Sequence, residues 1–168
     1  MGAKVYLIAD THFRHENIIK YCSRPFKDVT HMNEVLIKNW NEVVGPEDIV
    51  WHLGDFALGS REEISRIFTR LNGRKKLIMG NHDRLPEEVF RKIGFETVSR
   101  YPIVYDKSLI LSHAPLAREI CIGELKNIYG HVHNHYDEYA PPGTGHCVSV
   151  ENIDYTPILL SDVMKNIK

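Results

Sequence analysis

The 168-residue sequence predicts an α/β architecture, a sandwich of two packed β-sheets flanked by helices. Three observations carry that prediction. The front half alternates short apolar runs with segments of 3.6-residue periodicity, the pattern of parallel strands joined by helical crossovers. After residue 97, strand-like pieces follow one another closely and read as hairpins of a second sheet. Five of the apolar runs end in Asp, His or Asn, which puts a candidate metal site at the C-terminal ends of the strands.

The elements follow in order. "KVYLIA" (4–9) reads as a buried strand ending at Asp10. From Asp28 to Val44 the apolar positions Met32, Val35, Leu36, Trp40 and Val43 repeat at helical spacing, and Gly45-Pro46 stops the helix. "DIVWHL" (48–53) is a second strand, leading to Gly54-Asp55. Ser60 and Glu63 form a capping box for a helix with Ile64, Ile67, Phe68 and Leu71 on one face. "KKLIM" (75–79) is a third strand, and Pro86 opens a helix through Ile93 with Gly94 just past its end. The rear half supplies strands at 101–105, 108–112, 126–130, 146–150 and 156–160, then a short helix capped by Ser161. "YAPPGTGH" (139–146) reads as a Pro/Gly loop rather than a linker, so one domain over 1–168 is expected.

Composition narrows the class. The chain is 43% hydrophobic and 26% charged, with a formal net charge of −1, which gives no global electrostatic case for nucleic acid or anionic membrane. Cys22, Cys121 and Cys147 are scattered and without CxxC spacing, so neither a disulfide framework nor a zinc–thiolate site is expected. No leader pattern, no myristoylation signal and no apolar run of membrane-spanning length is present, and a cytoplasmic protein is expected.

Ten histidines are the anomaly. Asp10 and His12 follow the first strand, Asp55 the second and Asn81 the third; His113 follows "LILS", and His131 and His133 follow "NIYG". In extended backbone, residues two apart share a side, so Asp10 with His12, and His131 with His133, are each expected to face one point. Gly54, Gly80 and Gly130 precede the ligands, where a sharp exit favours a residue without Cβ. Taken singly, a histidine at a strand end is more often a packed or surface residue. Seven carboxylate, amide and imidazole groups at one edge are different: each left unsatisfied costs about 1–3 kcal/mol, and together they rival the roughly 5–15 kcal/mol stability of a domain. Metal binding resolves that conflict.

The ordered motifs "DTH", "GD", "GNHD", "LSHAP" and "GHVH" resemble those of the calcineurin-like metallophosphoesterase family, over Asp10 to His133. "DTHFRHENIIKYCSRPF" is similar to a small bacterial or phage branch of it. The resemblance implies a dinuclear centre. One ion would be held by Asp10, His12, Asp55 and His133, and the second by Asp55, Asn81, His113 and His131, with Asp55 bridging. His82 would stand beside the phosphate and assist the leaving group, and Asp83 would orient it. Leu58 departs from the pattern, for many relatives carry an acidic residue there.

All the ligands are nitrogen or oxygen, which suits Mn²⁺, Fe, Zn²⁺, Co²⁺ or Ni²⁺, and the resemblance favours Mn²⁺. Four positive charges against Asp10 and Asp55 leave an excess of about two, suited to a phosphate ester and to lowering the pKa of a bridging water. Arg14 and His15 are candidate substrate contacts with Asn81 and His82, and Arg24 is a weaker one. His52 reads as a packed residue behind the site, His135 as a pocket residue, and His31 and His146 as surface. The short chain leaves little room for a cap, so a phosphodiesterase is expected, with nucleic acid only as a possible substrate. The alternatives are a phosphomonoesterase of the same family or a non-catalytic protein-binding scaffold on the same fold.

Overall fold

A computed structural model describes residues 2–117, 120–121, 125–135 and 145–166. Its first sheet has the order β4-β3-β2-β1-β9, formed by β1 (Val5–Ile8), β2 (Ile49–His52), β3 (Arg74–Ile78), β4 (Thr97–Ser99) and β9 (Ile158–Leu159). β1 to β4 run parallel, and β9 lies antiparallel to β1. The second sheet has the order β5-β6-β7-β8, from β5 (Ile103–Val104), β6 (Leu109–Leu111), β7 (Lys126–Tyr129) and β8 (Gly145–Cys147). The expected two-sheet α/β class is the one observed.

The hairpin expectation for the rear half is corrected. Only β5 and β6 pair antiparallel, whereas β6, β7 and β8 are parallel. All three residues of β6 are buried, as is every residue of β7 but Lys126. Such short runs, buried on both faces, carry no alternation from which strand direction is legible. The long connections over residues 112–125 and 130–144 are what a parallel crossover requires.

The helices follow local chemistry. α2 (Val29–Val43) starts where Asp28 accepts the His31 N–H, and buries Met32, Leu36, Ile37 and Trp40. α3 (Arg61–Phe68) begins with the expected Ser60–Glu63 capping box. α4 (Glu87–Ile93) follows Pro86 and ends at Gly94, φ 130°. α1 (Glu16–Tyr21), with one buried residue, Ile18, had no readable period and was not anticipated. The last helix, α5 (Leu160–Asn166), begins before Ser161, so Ser161 lies inside its first turn rather than capping it. Most of the expected 139–146 loop lies outside the described residues.

Phe13, Trp40, Phe56 and Phe90 are among the fully buried side chains of one continuous core that spans both sheets. The sheets are joined where Ala9, just past β1, donates to Val148 O and accepts from Val150 N. The loop after β1 also runs along the loop after β2: Asp10, His12 and Phe13 donate to the carbonyls of Gly54, Asp55 and Phe56. With the parallel pairing of β1 to β3 and of β6 to β8, these contacts bring the ends of β1, β2, β3, β6 and β7 to one edge.

Candidate metal centre and active site

The backbone at this edge is left-handed. Asp10 (φ 57°), His12 (φ 48°), Asp55 (φ 56°), His131 (φ 72°) and His133 (φ 49°) all have positive φ. The expectation that extended backbone aims Asp10 with His12, and His131 with His133, at one point is therefore corrected. The pairs converge because alternate residues turn left-handed, at a cost that clusters at functional sites. His133 moreover opens a 3₁₀ turn, His133–His135.

One group comprises Asp10, His12 and His133, whose donor atoms lie within 4.8 Å of one another. Asp10 Oδ2 accepts from the Ser149 hydroxyl at 2.6 Å and the His131 N–H at 2.8 Å. Its other oxygen, Oδ1, is buried and has no hydrogen-bond partner, and the same holds for His12 Nε2, 3.4 Å from Asp55 Oδ2. Burial pushes the Asp10 carboxyl above the usual carboxylate range. Burial first, then the neighbouring His133 and Arg24 charges, holds the His12 imidazole neutral. A buried carboxylate oxygen and a neutral imidazole, each with a lone pair unused, fit a cation.

The second group comprises Asp55, His113 and His131. Leu53 O accepts from His113 Nδ1 at 2.8 Å, so the ring nitrogen left to face the site is Nε2. That nitrogen lies 3.1 Å from Asn81 Oδ1, 3.1 Å from His131 Nδ1 and 3.6 Å from Asp55 Oδ2. Ring nitrogens and side-chain oxygens therefore crowd around Asp55 Oδ2, which lies between the two groups. Asp55 Oδ1 is occupied by the His82 N–H at 2.8 Å. The glycines serve this crowding: Gly54 has φ 97°, and a Cβ there would lie 2.3 Å from His113 and so on top of it.

At the rim, His12, His15 and His82 each present a nitrogen within 4.8 Å of the others. His15 Nδ1 is 3.1 Å from His12 Nδ1, and the His82 ring lies 5.0 Å from that of His12. The Arg14 guanidinium is engaged by Glu63. The Asp83 carboxylate does not contact the His82 ring, which corrects the expected orienting role. It is buried and accepts the backbone N–H groups of Asp55, Phe56 and Gly80. Arg24 is corrected likewise: buried beneath the site, it donates to the carbonyls of Asp10 and Thr11 and to Glu151. His52 packs behind the centre as expected, against Thr11. His135 is exposed, and His31 and His146 are partly buried rather than surface residues.

Ser149 and Glu151 were not singled out from the sequence. They follow β8, and the rule that singled out the candidate ligands, polar side chains just past an apolar run, reaches them too. Glu151 Oε1 lies 3.0 Å from His133 Nδ1. Burial alone would lower the His133 pKa, but hydrogen bonds with Cys22 and Glu151 and the charges of Asp10 and Glu151 raise it to about 10.

The chain belongs to the calcineurin-like phosphoesterase family, whose sequence profile matches residues 3–162. It is 42% identical over 171 residues to the uncharacterized protein MJ1445 of Methanocaldococcus jannaschii, covering 98% of this chain and 92% of that one. The gene 66 protein of Mycobacterium phage L5 is 30% identical over 133 residues, 67% of this chain and 64% of its own. Among solved structures, a protein of unknown function from Aquifex aeolicus, AQ665, superposes with TM-score 0.76 at 32% identity over 99% of this chain and 100% of its own. The nuclease MPE of Pseudomonas putida has TM-score 0.50 at 22% identity over 77% of this chain and 61% of its own, a likeness of fold. Family membership carries metal-dependent hydrolysis of phosphate esters. No helix among the described residues is long and apolar enough to cross a membrane.

Proposed function

We propose that this protein is a dinuclear phosphodiesterase, most active with Mn²⁺. One ion is assigned to Asp10, His12, Asp55 and His133 and the other to Asp55, Asn81, His113 and His131. The observation that carries this reading is the convergence of carboxylate, amide and imidazole groups about Asp55 Oδ2, with Asp10 Oδ1 and His12 Nε2 buried and unpartnered. Two divalent ions held there supply the Lewis acidity that activates water and offsets phosphate charge. The protein's own groups do the rest. His82, its N–H fixed on Asp55 Oδ1, donates a proton to the leaving oxygen, worth about 10²–10⁴-fold. His15 contacts the phosphate with His82 and Asn81; Arg14, held by Glu63, braces the loop.

Two clefts support a diester. One of about 220 Å³ lies on the His82 side, between Leu58, Ile64, Leu85 and Arg84. The other, of about 270 Å³, lies on the His113 side, between Met79, Arg100, Pro102 and Leu116. A diester has two substituents to place and a monoester one. The three free cysteines support the cytoplasm as the compartment.

The test is to strip the protein with chelator, restore Mn²⁺, and compare initial rates on matched aryl phosphodiester and phosphomonoester substrates. Faster diester turnover, lost again with chelator, is expected; faster monoester turnover overturns the substrate class. His82→Ala is expected to keep both ions and lose turnover, and a fully active variant overturns the role of His82.

A further inference from the structure

We infer that Arg24 and Glu151 form a buried positioning pair for His133, setting which ring nitrogen faces the first ion and tying that ligand to the loop bearing Asp10 and His12. The inference rests on the two-ion reading above. Glu151 comes from the 3₁₀ turn after β8, and Arg24 from the loop between α1 and α2. Their side chains are 5% and 0% exposed, so water does not stand in for either partner. One oxygen, Glu151 Oε1, receives three groups: Arg24 Nε at 2.8 Å, an Arg24 terminal nitrogen at 2.7 Å and His133 Nδ1 at 3.0 Å. A carboxylate only accepts, so His133 Nδ1 carries a proton, and once the ring has given up its other proton to hold an ion, the lone pair is on Nε2. Asn152 fixes the same residue from the backbone side, donating to His133 O at 2.6 Å.

Arg24 extends the connection. The same guanidinium donates to Asp10 O at 2.7 Å and to Thr11 O at 3.0 Å, the carbonyls that flank the left-handed turns at Asp10 and His12. One planar fork thus spans the loop that supplies Asp10 and His12 and the carboxylate that holds His133, a geometry that a lysine ammonium does not reproduce. The pair acts on one group of ligands only: Asn81, His113 and His131 make no hydrogen bond to Arg24 or Glu151.

Cys22, His133 and Glu151 also lie within 4.8 Å of one another, a set that offers a competing reading as an ion site of its own. The His133–Glu151 hydrogen bond and the adjacent Arg24 charge oppose that reading, because a cation there would displace the first and meet the second.

The experiment measures metal binding rather than activity. Metal-stripped wild type, Glu151→Ala, Glu151→Gln and Arg24→Lys are titrated with Mn²⁺ and with Co²⁺, whose visible bands report ligand geometry, and melted in parallel. Wild type is expected to bind two ions. Glu151→Ala is expected to lose about 10–100-fold affinity for one ion, with altered Co²⁺ bands, and to keep the other. Glu151→Gln, whose amide oxygen still accepts from Nδ1, is expected to recover part of that loss and covers the case in which the alanine variant fails to fold. Unchanged affinity for both ions in Glu151→Ala and Glu151→Gln overturns the pair alone, as does an equal loss at both sites that tracks the melting temperature. A third ion lost with Glu151 overturns it in favour of the Cys22 site. Wild type that binds fewer than two ions overturns the two-ion reading, and the pair's role with it.

Discussion

Asp83 accepts the backbone N–H of Asp55 through Oδ2 at 2.8 Å, so one carboxylate holds the peptide that carries another. The same oxygen accepts from Gly80 N at 2.8 Å, and Oδ1 accepts from Phe56 N at 2.9 Å. The loops after β2 and β3 are thereby clamped together beneath Asp55, Asn81 and His82. Burial, offset in part by these three hydrogen bonds, raises the Asp83 carboxyl to about 7.

Asp83→Asn separates geometry from charge. An asparagine of the same shape turns an NH₂ toward backbone N–H donors and leaves at least one unsatisfied, at a cost of about 1–3 kcal/mol. The expected outcome is a lower unfolding midpoint together with weaker binding of both ions, because Asp55 is the ligand proposed to serve both. Calorimetric titration with Mn²⁺ alongside urea denaturation checks it; unchanged binding in the variant would mean that the clamp does not position Asp55.

Ser149 acts more narrowly. Its hydroxyl donates to Asp10 Oδ2 at 2.6 Å and leaves Oδ1 as the only unpartnered oxygen of that carboxylate. Ser149→Ala leaves the His131 N–H as the remaining partner of Oδ2, so the carboxylate is freer to rotate. One ion is expected to bind about 10-fold more weakly, the low end for the loss of a hydrogen bond to a ligand, and the other as in wild type. Metal counting at limiting Mn²⁺ reads the difference.

How much of this was legible follows from what residue types encode. The ends of β1, β2, β3, β6 and β7 were readable because Asp, His and Asn are unexpected after an apolar run, and five such breaks in order reinforce one another. Ser149 and Glu151 follow β8 in the same way, but serine and glutamate are ordinary in a loop, so nothing marked them. The sign of φ at Asp10 and His12 is not encoded by residue type, and the left-handed turns therefore replaced an extended backbone without notice. Asp83 and Arg24 show a third limit. Their charge suggested a part in the chemistry, and only their burial shows that they brace backbone instead.

His52, packed behind the candidate ligands, gives a pH signature of its own. Thr11 gives its single hydroxyl proton to Phe56 O at 2.7 Å, so His52 Nε2, 2.9 Å from that hydroxyl, carries the ring proton, and Nδ1 is buried without a partner. Burial first, and then the His113 charge, lowers its pKa to about 3. The folded chain therefore holds His52 neutral, while the unfolded chain takes up a proton below about 6.5. Its contribution is whole above that value and drains as pH falls toward 3, at up to about 1.4 kcal/mol per pH unit. His52→Leu is expected to flatten the acid side of the stability profile by up to that slope. Urea midpoints at about pH 7 and about pH 5 measure it, and parallel profiles for the two proteins would refute it.

Gly80 makes the last prediction, and the reason is space rather than backbone freedom, since its φ is not among the positive values. A Cβ built there would land on Asp55 Oδ1, 2.6 Å from Asp55 N and 2.7 Å from His113 Cε1. None of these neighbours is the free end of a flexible side chain: Asp55 Oδ1 is held by the His82 N–H, and the His113 ring by Leu53 O. Gly80→Ala must therefore move the shared carboxylate or the His113 ring. Overpacking of this kind costs about 1–3 kcal/mol, which leaves a folded chain, but both proposed ions would lose their common ligand geometry. The expected result is a near-native circular dichroism spectrum, a modest drop in melting temperature and a loss of at least about 10-fold in Mn²⁺ affinity at both sites. Wild-type affinity in a stable Gly80→Ala protein would show that the strand end yields, and that Asp55 is not held where the two ligand groups need it.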